Sequence, residues 1–132
     1  MSSAPKMRTA PTRPKWYDLN LAHLPPPGIV SILHRISGAL LFLFIPVFLY
    51  VLQGTLTSEQ EYLRWKSFLA PPLVKLAAIG LAYLYAHHFF AGIRYLLLDL
   101  HIGIEKAPAR MSANVVIALG VISALAFGWC VW

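Results

Sequence analysis

Cysteine, acidic side chains and charge in general are scarce in this chain, and each shortage excludes something. A single cysteine, Cys130, stands two residues from the end of the 132-residue sequence. It allows no internal disulfide and no thiolate cluster. Only five residues are Asp or Glu, against eleven Lys or Arg, and charged residues amount to 12% where a soluble domain carries about a quarter. With 58% hydrophobic residues, the chain is too apolar for an ordinary soluble domain. Internal repeats are not apparent, and period-2 alternation, which a membrane β-barrel requires, is lacking. The net charge of +6 lacks the interleaved aromatic and basic pattern of a soluble nucleic-acid binder, so no nucleic-acid partner is implied; contact with anionic lipid is.

What the sequence does contain is apolar runs. Ile36 to Ser58, Leu76 to Ile93 and Met111 to Trp132 are free of Asp, Glu, Lys and Arg. Each has ~18 residues or more, enough to cross a hydrocarbon core of about 30 Å as a helix. The expected fold is all-α: an integral membrane protein with three transmembrane helices at about 29–53, 73–98 and 113–132, forming one domain over 28–132. Residues 1–27 are rich in proline, with Lys6, Arg8, Arg13 and Lys15 against the single acid Asp18. They do not read as a secretory signal, and their prolines spoil the amphipathic helix of a transit peptide. They read instead as a cytosolic arm that orders against a partner.

Pro25-Pro26-Pro27-Gly28 should lead the chain in extended form into the first helix, and Pro46 should kink that helix. Residues 55–70 read as a connection, with Tyr62, Trp65 and Phe68 suited to the interface. Orientation follows from the basic residues. An N-inside arrangement puts Lys6, Arg8, Arg13, Lys15, Arg35, Arg94, Lys106 and Arg110 at the cytoplasmic side, and leaves Arg64, Lys66 and Lys75 outside. The C-terminus then lies on the far side, anchored by Trp129 and Trp132.

The stretch Y-A-H-H-F-F-A-G-I-R-Y-L-L-L-D, Tyr85 to Asp99, is the chemically unusual one. Ionisable groups inside a membrane span are costly and are kept for ion, proton or cofactor work. At helical spacing His88, Gly92, Tyr95 and Asp99 share a face, and Gly92, without a Cβ, lets a flat group approach the backbone one turn from His88. Two readings of His88 follow from this helix alone: a hydrogen bond to a neighbouring helix, or an axial ligand to haem iron. On the first helix Ser31, His34, Arg35 and Gly38 form a second stripe, at the same depth if the topology holds, so the two stripes are expected to face one another across a cofactor. Arg35 by itself also suits snorkelling to the interface, and Gly38 a bare helix contact.

The stretch Arg13-Pro14, then S-I-L-H-R-I-S-G at Ser31 to Gly38, then H-F-F-A-G-I-R-Y-L-L-L-D at His88 to Asp99, resembles the cytochrome b subunit of succinate dehydrogenase, the larger of the two small membrane anchors of respiratory complex II. The resemblance covers nearly the whole chain, and its closest likeness is to the bacterial form that pairs with a second three-helix anchor. It implies that His88 is an axial ligand of haem b and that His87 only packs or hydrogen-bonds. It implies that Ser31, Ile32 and Arg35 border a ubiquinone site, ubiquinone being the substrate, and that His34 and Arg35 contact the haem propionates. Gly38, Gly92, Arg94 and Tyr95 would belong to the haem environment. Tyr95 stands where many members carry a histidine, which leaves its role open. Asp99 suits either proton entry or plain solvation at the interface.

No second intramembrane histidine stands at a matching depth on the third helix, so a second ligand would be either His34, which its helix-end position disfavours, or a residue of another polypeptide. The resemblance therefore implies haem shared with a partner anchor, electrons arriving from an iron–sulfur subunit and a flavoprotein subunit, and residence in the bacterial inner (cytoplasmic) membrane with a cytoplasmic N-terminus and a periplasmic C-terminus. An anchor of a quinol:fumarate reductase, or a cofactor-free transmembrane scaffold, are the alternatives.

Overall fold

A computed structural model describes residues 24–132; the arm expected over residues 1–27 lies almost wholly outside the described residues. The described chain is helical: α1 (Pro26–Thr57), α2 (Glu59–Leu69), α3 (Pro72–Asp99) and α4 (Lys106–Val131). Three of these, α1, α3 and α4, are long and apolar enough to cross a membrane. Helices satisfy their own backbone groups, which is what hydrocarbon demands of a spanning segment.

Each long helix begins where local chemistry permits. Pro25 is extended, and prolines occupy the first positions of α1, where the missing N–H costs nothing. Pro71 and Pro72 start α3 in the same way. Pro46 lies inside α1, which runs through it to Thr57, so the Phe42 carbonyl lacks its usual intrahelical donor.

The connection expected over 55–70 contains a helix of its own. Ser58 caps α2, accepting a hydrogen bond from the Glu61 N–H at 3.2 Å. Ser58 and Glu61 thus stand at the first and last positions of a capping-box sequence. Its Trp65 lies on α1: a Cβ at Gly54 would overlap the indole, and the Tyr50 ring meets Trp65 edge-on at 5.5 Å. Glu61 and Arg64 pair at 3.6 Å on the exposed side, a contact worth little.

Helix α3 packs most extensively on α4, then on α1. The α3–α4 seam is made of small residues: Ala86, Ala91, Ala113, Ala124 and Gly120 are buried. At Gly120 an added Cβ would come within 3.2 Å of Tyr83 and 3.6 Å of the His87 backbone. Close backbone approach of this kind is how helices associate when burial from water supplies no drive between them. Most large apolar side chains remain exposed, Phe42, Leu43 and Trp129 among them; they face lipid or other subunits.

The turn between α3 and α4 closes with a paired C-cap. His101 N–H donates to the Leu98 carbonyl at 2.9 Å and Ile102 N–H to the Leu97 carbonyl at 2.9 Å, the Schellman pattern. His101 holds the left-handed position, with φ of 61°, where glycine is usual. Gly103 follows with φ of 74°.

Candidate functional site

The two stripes meet. The imidazoles of His34 on α1 and His88 on α3 stack face to face, with centroids 4.2 Å apart and planes within 7°. Each ring occupies the space a glycine provides on the opposite helix. A Cβ at Gly38 would stand 2.8 Å from His88 Cε1, and one at Gly92 would lie 3.9 Å from His34 Nε2. The flat group received at Gly92 is therefore an imidazole of this same chain. The Tyr95 ring also meets His34, at 5.1 Å and tilted by 52°.

His88 is held by one of its nitrogens. Nδ1 lies 3.2 Å from Ser37 Oγ and 3.1 Å from the His34 carbonyl oxygen. Nε2 makes no hydrogen bond among the described residues. The ring borders a groove of ≈ 990 Å³, lined among others by Gly38, Phe42, Ile45, Tyr85 and Phe89. Phe42 and Tyr85 are 71% and 66% exposed, so the groove is open rather than a closed cavity.

These features fit a haem ligated by His88. An axial histidine needs one nitrogen anchored and the other free, beside an apolar surface onto which a macrocycle can lie. His34 does not suit a second ligand to the same iron: its ring lies face to face on that of His88 at 4.2 Å, which leaves no room for a macrocycle between them.

The remaining expected residues are dispersed. Arg94 is 6% exposed and points to α4: its Nε donates to Ser112 Oγ at 3.0 Å and its Nη2 to the Ala109 carbonyl at 3.2 Å. It pins α3 to the first turns of α4 and is not clustered with Arg35. Its guanidinium also lies 5.6 Å from the Tyr95 ring centroid. Ser31 is half-buried, while Ile32 and Arg35 are exposed near the start of α1, and none of the three lines the groove. Asp99 is exposed at the last position of α3. His87 is fully buried against α4, its ring 5.7 Å from Tyr83, and neither ring nitrogen has a hydrogen-bond partner among the described residues. The Tyr95 hydroxyl is likewise buried without one.

Ser37 is the residue the sequence reading passed over. It stands three positions after His34, on the same face of the helix, and that spacing was the available signal.

The sequence as a whole matches the family described as succinate dehydrogenase/fumarate reductase transmembrane subunit over residues 9–127. The chain belongs to this family. It is also similar to the succinate dehydrogenase cytochrome b556 subunit of Coxiella burnetii (strain RSA 493 / Nine Mile phase I), at 36% identity over 121 residues, which covers 91% of this chain and 97% of the relative. A complex II membrane anchor is thus the class to which the chain belongs. The multi-pass helical architecture agrees with a transmembrane subunit, and the two stripes lie on its first two membrane-spanning helices.

Proposed function

We propose that this anchor subunit serves a succinate:ubiquinone oxidoreductase, holding haem b through His88 and contributing Ser31, Ile32 and Arg35 to a ubiquinone site at the foot of α1. The observation that carries the reading is the anchoring of His88 through Nδ1, with Nε2 beside an apolar groove and without a hydrogen-bond partner among the described residues. Haem, when bound, supplies one-electron redox chemistry. The chain's own part is to orient the ligand, exclude water with Phe42, Ile45 and Phe89, and place cations near the cytoplasmic end of the bundle. His34 and Arg35 stand on the first turns of α1 where haem propionates would seek them. Arg94, already bound to Ser112, adds a fixed positive charge from the α4 side.

Quinone reduction consumes two electrons and two protons, and oxygen atoms gaining negative charge need donors placed beforehand. The Ser31 hydroxyl and the Arg35 guanidinium supply them, and Ile32 offers an apolar surface for the ring. Asp99, exposed at the same end of the bundle, gives protons a route of entry. The groove's exposed walls support a second small anchor that provides the other haem ligand. The iron–sulfur and flavoprotein subunits dock on the cytoplasmic face, which in the N-inside arrangement of a bacterial inner membrane carries most of the basic residues.

A quinol:fumarate reductase anchor shares this fold, and the family description covers both; the similarity to a succinate dehydrogenase subunit favours the oxidising direction. The test is a split between two acceptors. In the purified complex, Ser31→Ala and Arg35→Ala should each lower succinate-to-quinone turnover about 10- to 100-fold, the worth of a hydrogen bond to a charged group. Succinate oxidation by a soluble artificial acceptor should be unchanged. Normal quinone kinetics in both variants would remove them from the quinone site.

A further inference from the structure

Three polar atoms close a triangle behind His88. Ser37 Oγ is 3.0 Å from the His34 carbonyl oxygen and 3.2 Å from His88 Nδ1, and Nδ1 is 3.1 Å from that same carbonyl. Ser37 is fully buried, so no bulk water relieves the arrangement. A carbonyl oxygen only accepts. Were Nδ1 unprotonated, its lone pair would face the carbonyl lone pairs at hydrogen-bonding distance, and a single serine proton could satisfy only one of the two. The proton therefore belongs on Nδ1, which donates to the carbonyl and to Ser37 Oγ, while the serine hydroxyl donates to the carbonyl. The lone pair of His88 is thereby assigned to Nε2. Serine bonding back along its own helix also tends to bend it, which helps a main-chain carbonyl of α1 turn toward a side chain on α3.

We propose that Ser37 is a positioning residue: with the His34 carbonyl it fixes the Nδ1–H tautomer and the ring orientation of His88, and strengthens Nε2 as an electron donor to the metal. The proposal rests on the reading of His88 as haem ligand. A histidine that donates its other N–H becomes a more basic ligand, and a more basic ligand favours the oxidised iron. Weakening the triangle must raise the potential.

The intact complex carrying Ser37→Ala, Ser37→Thr or His88→Ala is compared with the unmodified complex by haem content, midpoint potential and transfer of haem to an apoglobin. Ser37→Ala is expected to retain haem at a higher midpoint potential and to bind it about 10-fold more weakly. Ser37→Thr, which keeps the hydroxyl, is expected to restore both. An unchanged potential and affinity in Ser37→Ala would overturn the proposal, as would a threonine variant shifted as far as the alanine one. If Ser37→Ala does not assemble, Ser37→Cys, similar in size but a weak acceptor, is measured in its place: a raised potential supports the assignment and an unchanged one overturns it. Undiminished haem in His88→Ala defeats the ligand reading itself, a result distinct from an unshifted Ser37 variant in a complex where His88→Ala has lost its haem.

Discussion

A hydrogen atom at position 38 keeps His88 where it is. The Cβ of an alanine there would stand 2.8 Å from His88 Cε1, closer than side chains approach, and the ring is tied on its other edge to Ser37 and the His34 carbonyl. Relief requires His88 to give up those bonds or α1 to move away from α3. Gly38→Ala should therefore cost about 1–3 kcal/mol, the usual range for overpacking, and should lower haem content in a complex that still assembles. Full haem content with an unshifted spectrum would show that the contact is not tight. Sequence spacing, with the topology, had placed Gly38 and His88 on stripes facing one another across a cofactor, whereas the His34 and His88 rings stack directly on each other. It could not show that each glycine receives the other helix's imidazole, because that depends on how the two helices are set along and around their axes.

Among the elements, the turn after α3 carries the clearest conformational cost. His101 sits at φ of 61° as the left-handed residue of a Schellman cap, a conformation disfavoured for residues with a Cβ by about 1–2 kcal/mol. His101→Gly should raise the thermal stability of the complex by about 1 kcal/mol or slightly less, because glycine carries an entropic cost of its own; a fall in melting temperature would mean that the imidazole makes a compensating contact. The three spanning helices were legible because long apolar runs bounded by prolines have few other solutions in a membrane. Most of their ends were drawn too short, the start of α4 most of all: it was expected at about 113, whereas Lys106 to Ser112 form its first turns. Helix α2 was missed although Ser58, Glu61, Trp65 and Phe68 carry a cap and an apolar face. Arg94 was expected at the cytoplasmic side by its charge and in the haem environment by the resemblance, whereas a guanidinium held by Ser112 and Ala109 is a tertiary contact that no periodicity announces.

For the whole molecule, function is divided between what this chain holds and what it leaves open. It ties α1 to α3 through the stacked histidines and α3 to α4 through small residues and Arg94, and it leaves a groove whose aromatic walls are exposed beside His88. On the proposed reading, that groove would receive the haem that His88 holds. The direct test is the reduced-minus-oxidised spectrum and haem content of the co-purified complex carrying His88→Ala. Loss of the b-type band, or its displacement with lowered haem content, is the predicted result; an unaltered band with full haem content would contradict the assignment.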